Sequence, residues 1–250
     1  MTTLISDTPP TPEKELTFEE FEVGDLRAWS FSALGVFEEC PYRSYIGRVK
    51  KIPEPSGPAA ERGTMIHDLA EAYVKGDGPF PSKYYKHFQS ELEELRLGYA
   101  NGTVEVEGEW AFTQQWQPTR WIAKDTWVRI KLDAYVKQGD GSARVIDYKS
   151  GKKIGNEIKH SQQCLLYAIA AFLRDPELEF AQTELWYVDQ NDTTIKSYTR
   201  KQALHFLPKW HSRGVAMTTC EEFDPNPSKW NCRWCAYKEG DHPECRYGVK

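Results

Sequence analysis

The spacing of apolar residues changes twice along the chain. Over 61–75, Ile66, Leu69, Ala70 and Tyr73 recur at i, i+3, i+4 and i+7, a stripe that predicts a helix, and the preceding stretch 52–60 is punctuated by three prolines and a glycine. From about Gly108 the period falls to two, predicting strands over 109–116, 126–136 and 143–150. A helix is expected over 157–173, strands near 183–189 and 194–199, and a last helical region over 201–217 in which Pro208 marks a kink. Helix, meander, helix and strands in that order predict a mixed α/β domain.

Strand side chains alternate between faces. Val128, Ile130, Leu132, Ala134 and Val136 should therefore share one face, with Arg129, Lys131, Asp133 and Tyr135 on the other. In the next strand Val145, Asp147 and Lys149 go together, opposite Ile146 and Tyr148. Between the two strands Gly139-Asp140-Gly141 is a hairpin signal, and a turn centred on Asp140 pairs Ala134 with Ile146, Leu132 with Tyr148 and Asp133 with Asp147. That register keeps one face apolar throughout and sets two carboxylates across from each other, with Cβ atoms roughly 4.5–5.5 Å apart.

Facing carboxylates repel unless a cation or a proton lies between them. Their oxygen chemistry suits Mg²⁺ or Mn²⁺, and Lys149, two residues beyond Asp147, is placed to hold or deprotonate a water beside such an ion. An isolated D-x-K pattern has a plainer reading, a surface hairpin whose Asp133 and Asp147 pair with Lys131 and Lys149. His67 lies beside the apolar stripe of the first predicted helix, with Glu71 one turn on, and could project toward the strands as a further ligand. Gln163 and Tyr167, spaced i, i+4, lie on one face of the 157–173 helix, where they could steer a substrate toward the carboxylates.

Composition narrows the class. The 250 residues are 40% hydrophobic and 13% aromatic, enough for one sizeable core. The longest apolar runs, such as 165–173, fall short of the roughly 20 residues of a membrane span, and mean hydropathy is -0.67. No membrane association is expected, and the opening residues lack the pattern of a secretory signal, which predicts a cytoplasmic protein. The net charge of -5 is unevenly spread, because residues 1–25 hold seven acids, one base and three prolines. This stretch reads as an acidic, disordered tail, and 26–250 as a single, nearly neutral domain that includes a cysteine-rich region over 220–250.

Five segments in order carry a resemblance: SFSALGVFEECPYRSYI (30–46), ERGTMIHDLAEAYV (61–74), KLDAYV (131–136), VIDYKSGKK (145–153) and QQCLLYAIA (162–170). Together they resemble the RecB-like branch of the PD-(D/E)XK nuclease superfamily, which includes CRISPR-associated and bacteriophage exonucleases. The resemblance implies a restriction-endonuclease-like fold, a mixed central sheet flanked by helices. It implies metal ligands at His67, Asp133 and Asp147 together with the Tyr148 carbonyl, Lys149 as the catalytic lysine, and Gln163 and Tyr167 as a Q-x-x-x-Y element. Asp147 stands where many members of the wider superfamily carry Glu. The implied activity is Mg²⁺- or Mn²⁺-dependent hydrolysis of DNA phosphodiester bonds by an exonuclease that acts on DNA ends and prefers single strands. Its implied setting is phage or prokaryotic recombination, repair or replication, with a recombination or replication protein as partner.

Six cysteines stand at 40, 164, 220, 232, 235 and 245. In a cytosolic chain they are poor candidates for disulfides, and Cys164 reads as helix packing. The Cys232-x2-Cys235 spacing, with Cys245 in reach, suits a metal centre. Relatives in the resembled family often join their two ends with a four-cysteine 4Fe-4S cluster, a layout that Cys40, Cys232, Cys235 and Cys245 fit. His242 offers a rival zinc site with Cys232, Cys235 and Cys245, and free thiols are the plainest alternative; either metal centre would be structural. Trp110, Trp116, Trp121 and Trp127 cluster around the first strands, where tryptophans more often fill a core than stack on unpaired bases. Arg43, Arg48, Lys50, Lys51, Lys152 and Lys153 are candidate contacts to a DNA backbone, with solvated surface charge as the alternative. Two other functions remain open: a nucleic-acid-binding module that keeps the fold without cutting, and a zinc-stabilised interaction protein whose acidic tail recruits a partner.

Overall fold

The computed structural model describes residues 16–238 and 244–249. Its first half is helical: α1 (Phe31–Glu39), α2 (Pro41–Ser44), α3 (Pro58–Lys75), α4 (Ser82–Tyr85) and α5 (Gln89–Ala100). Then come β1 (Val104–Phe112), β2 (Pro118–Thr119), β3 (Val128–Lys137) and β4 (Ser142–Lys149). The chain closes with α6 (Glu157–Arg174), β5 (Phe180–Tyr187), β6 (Asp192–Thr199), α7 (Arg200–Leu204), α8 (Leu207–Thr218) and α9 (Lys229–Cys232). The strands form one sheet in the order β2-β1-β3-β4-β5-β6, antiparallel except for the parallel β4–β5 pair that α6 connects. The mixed sheet flanked by helices agrees with the expected fold. Among the described residues no helix is long and apolar enough to cross a membrane.

Local chemistry explains the element ends. Pro58, with no N–H to leave unpaired, opens α3, and Gly76 closes it at φ +85. The stripe of α3 runs through Ile66, Ala70 and Val74, while Leu69 stays partly exposed. The helical region expected over 201–217 is two helices. A capping box between Thr199 and Gln202 starts α7, and Pro208, tolerated only in a first turn, starts α8. β1 begins five residues earlier than expected and stops at Phe112, because Thr113 to Trp116 make a turn closed by the Trp116 N–H on the Thr113 carbonyl (3.0 Å).

The β3–β4 hairpin has the register that the turn predicts, Ala134↔Ile146 through Lys137↔Ala143. Gln138 N–H donates to the Ser142 carbonyl (2.9 Å), and Gly141 takes φ +79 in the turn. One expectation fails. Leu132 and Ala134 do not share an apolar face: Val128, Ile130 and Leu132 pack with Val145 and α6, whereas Ala134, Ile146 and Tyr148 pack with Ile66, Ala70 and Leu92 of α3 and α5. β1 changes sides at the same level. Glu105 and Trp110, five residues apart and so on opposite faces of an unbroken strand, share a hydrogen bond (Nε1 to Oε1, 3.0 Å). The break is Glu107 at φ +52, and the β1–β3 pairing passes from Val106↔Ala134 to Gly108↔Leu132 with Glu107 and Asp133 left out. Since both strands slip together, the register is the same above and below the break.

The sheet thus divides two cores. One lies under α6, α8 and the segment before α1, and it contains Trp29, Trp110, Trp116, Trp127 and Trp210. The other lies under α3 and α5. Residues 18–25, expected to be tail, border the first core: Phe18 stacks on His211 (4.0 Å), Phe21 meets Trp127 edge-on (5.7 Å), and Gly24 N–H donates to the Thr218 carbonyl (2.7 Å). The rest of the expected tail, residues 1–15, lies outside the described residues.

Packing in the tryptophan core is tight enough to test. A Cβ on Gly214 of α8 would lie 2.4 Å from Trp29 Nε1 and 2.7 Å from Trp127 Cζ2. Gly214→Ala is expected to lower stability, since overpacking of roughly 1–3 kcal/mol exceeds the gain in helix propensity of up to about 1 kcal/mol. Urea unfolding measures this, and an unchanged or higher midpoint would contradict the described packing.

Candidate active site

At the level where β1 and β3 slip, adjacent strands carry Glu107, Asp133 and Asp147. The β3–β4 pairing ends at Ala134↔Ile146, and the Tyr148 N–H, which this register would aim at Leu132, is donated instead to Asp133 Oδ2 (2.5 Å). The carboxylate of Asp133 thus occupies a backbone partner's place where the strands part. Its other oxygen, Oδ1, lies 2.8 Å from Nδ1 of His67, which α3 projects toward the sheet.

Asp147 is held from the opposite layer. Its Oδ1 accepts from the Tyr167 hydroxyl (2.6 Å) and from Gln163 Nε2 (3.3 Å), both on α6. Oδ2 lies 2.6 Å from Lys149 Nζ, yet it is buried without a well-directed hydrogen bond. Lys149 Nζ in turn donates to Gln163 Oε1 (2.9 Å). The sequence reading sets the two aspartates side by side on one face; the structure engages one from the α3 layer and the other from the α6 layer. The parting of the strands is the physical reason, because a side chain at a gap is free to turn toward either layer.

Burial dominates the electrostatics. Asp133 and Asp147 are only 8% and 6% exposed. Burial pushes the Asp133 carboxyl up, and repulsion from Asp147 adds to it, against the hydrogen bond from His67. Burial alone would pull the His67 imidazole down, but its hydrogen bond and charge attraction to Asp133 raise it overall. The phenols of Tyr148 and Tyr167 are driven well up by burial and stay neutral donors.

Sequence reading missed Glu107. His67, Glu107 and Asp133 offer ligand atoms that all lie within 4.8 Å of one another. Lys131 Nζ pairs with Glu107 (2.5 Å) rather than with Asp133, so the plain hairpin of two Asp–Lys pairs does not form. The signal for Glu107 lay in the register, which places it beside Asp133, but the strand was expected to begin only at residue 109. Glu71, by contrast, is taken by Lys75 (2.5 Å). The donor set fits a divalent cation: carboxylate oxygens from three strands, one imidazole, and an orphaned buried oxygen on Asp147.

The remaining candidates separate. Arg43 pairs with Glu54, Lys153 with Asp192 (2.7 Å), and Lys50 sits over the Tyr45 ring (5.5 Å). Lys51 takes φ +57, and Lys152 accepts at its carbonyl from Asn156 Nδ2 (2.9 Å). Arg48 borders a cleft that Gln163 and Tyr167 also line. Trp110, Trp116 and Trp127 are buried core, whereas Trp121 lines that cleft.

Cys40, Cys232, Cys235 and Cys245 line one cavity beside α2. The tail is fastened there by Asn226 and Asn231, whose Nδ2 atoms both donate to the Glu39 carbonyl (3.0 Å each). Among the described residues no three of the cysteine sulfurs lie within 4.8 Å of one another. His242 lies outside the described residues. Cys164 is buried against Leu185 and Tyr187.

Similarity to known proteins agrees with the site. Solved structures of related outline include the protein SSO0001, at 16% identity over 92% of this chain and 90% of that one (TM-score 0.47). A candidate exonuclease from Eubacterium rectale is 13% identical over 80% of this chain and 87% of its own (TM-score 0.42). An alkaline exonuclease from Laribacter hongkongensis is 15% identical over 77% and 87% (TM-score 0.29). These likenesses are distant and add nothing to the assignment, and no curated protein matches. The family model of the PD-(D/E)XK nuclease superfamily matches residues 28–239, and the chain therefore belongs to that superfamily.

Proposed function

We propose that the protein is a divalent-metal-dependent deoxyribonuclease of the RecB-like branch, working as an exonuclease on DNA ends. The observation that carries this reading is the row of carboxylates at the break in the sheet, with Lys149 fixed beside it, in a chain of this superfamily. His67, Asp133, Asp147 and the Tyr148 carbonyl are the proposed metal holders, joined by Glu107. Bound there, Mg²⁺ or Mn²⁺ polarises the scissile phosphate and lowers the pKa of the attacking water. Lys149, held between Asp147 and Gln163, orients that water and balances negative charge as the phosphodiester is attacked. Gln163 and Tyr167 aim the Asp147 carboxylate, and the Tyr148 N–H does the same for Asp133. Recombination, repair or replication of phage or prokaryotic DNA is the setting that goes with this reading.

The cysteine cavity takes a structural 4Fe-4S cluster on the same reading. A tetrahedral zinc ion with Zn–S bonds of roughly 2.3 Å needs its sulfurs closer than about 4 Å. Sulfurs spread around a cavity suit a polynuclear cluster better, and only that arrangement gives Cys40, more than 190 residues before Cys232, a ligand's role.

Three outcomes are expected. End-labelled linear DNA should be degraded with Mn²⁺ or Mg²⁺ and spared with chelator, while closed circular DNA resists; cleavage that ignores chelator, or cuts circles equally, contradicts the proposal. Lys149→Ala should cut on the order of 10²–10³-fold more slowly, or worse, with an unchanged thermal midpoint, because it removes one charge-stabilising donor. Near wild-type cleavage by the purified variant would remove the lysine from the mechanism. Anaerobically purified protein should be brown and hold iron and sulfide, and a colourless protein with stoichiometric zinc would overturn the cluster.

A further inference from the structure

We propose that the cleft beside the candidate metal site receives one nucleotide of an unpaired DNA strand, its base stacked on Trp121 and its phosphate on Arg48. The inference rests on the nuclease reading and adds the substrate class, single-stranded DNA.

The cleft has a volume of about 280 Å³. Gln163 and Tyr167, which hold Asp147, form part of its wall, so an occupant lies next to the carboxylates. Two further parts of the wall have no role in the fold. Trp121 is the member of its tryptophan group that lies outside the cores, and it is braced from behind: Arg129 Nε donates to its carbonyl (3.1 Å), and the Arg129 guanidinium lies over its ring (5.5 Å). A ring fixed in this way offers its free face to a planar group at little entropic cost.

Arg48 is the second part. Among the described residues it has no carboxylate and no hydrogen-bond acceptor, unlike Arg43, Lys131 and Lys153, each of which holds an acid. Crowding at the cleft wall lowers its proton affinity with no acid to offset it. An anion arriving in the cleft supplies that missing partner.

A planar face beside an unpaired cation, within one nucleotide's reach of the site, matches a base and its phosphate. Inside a duplex each base has its faces covered by its neighbours, so an interior base can reach Trp121 only if it is unpaired. A cleft of this size also leaves no room for the complementary strand.

The test uses the whole protein with two fluorescent probes, an oligothymidylate and a blunt duplex, in chelator so that nothing is cut. Wild type should bind the single strand more tightly than the duplex. Trp121→Ala should weaken single-strand binding roughly tenfold, with Trp121→Phe recovering most of it. Arg48→Ala should weaken binding and reduce the slope of log affinity against log salt by about one, and as an exposed substitution it keeps the test valid if Trp121→Ala fails to fold. With Mn²⁺ added, both variants should raise KM far more than they lower kcat. Equal affinity for both probes, or variants that bind like wild type, overturns the proposal. Binding that depends on these residues without any cleavage sinks the nuclease reading and leaves the cleft; normal cleavage with indifferent variants does the reverse.

Discussion

Three acidic side chains at one level of a β-sheet repel each other, and the fold accepts that repulsion at the single place where its own ladder is interrupted. Glu107 adopts a left-handed backbone, and the Asp133 carboxylate takes the Tyr148 N–H that a regular ladder would give to a carbonyl. A non-glycine residue at positive φ costs on the order of 1 kcal/mol or more, and it persists only where surrounding packing enforces it. Here the enforcement comes from both sides. Val106 and Ala134 are committed to the α3 core, and Trp110 and Ile130 to the α6 core, so the strands cannot slide to relieve the break.

That arrangement explains why the two helices matter as much as the strands. α3 brings His67 to Asp133, and α6 brings Gln163 and Tyr167 to Asp147. Each carboxylate is oriented by a different layer, and the gap between strands is where the layers meet. The two lysines, Lys131 and Lys149, neutralise Glu107 and Asp147, while Asp133 has only an imidazole and an amide. Negative charge therefore remains concentrated around Asp133, as a cation-binding site requires.

Much of this was legible in the sequence because it rests on short-range chemistry. The turn at Asp140 fixes the β3–β4 register without any tertiary information, and i, i+4 spacing alone sets Gln163 beside Tyr167. The break was not legible. Periodicity assumes that a strand keeps its alternation, and nothing in Val-Glu-Val-Glu-Gly announces that Glu107 will leave the ladder. For the same reason one apolar stripe in β3 reads as one face, although Leu132 and Ala134 serve different cores. α1, which carries Trp29 next to its first turn, and α5 lack a long stripe, and their burial is decided by distant partners such as Trp127 and Gly214. The packing of Phe18 and Phe21 was hidden by the acids around them, since composition averages over residues that individually find the core.

The central claim is that the interrupted sheet collects carboxylates in order to hold a divalent cation. Calorimetric titration of the purified protein with Mn²⁺, alongside Asp133→Asn, tests it without reference to any DNA substrate. Wild type should bind saturably and unfold at a higher temperature with the ion present, and the variant should bind about 10-fold or more weakly. Absence of binding to wild type, or equal binding by the variant, would contradict the account.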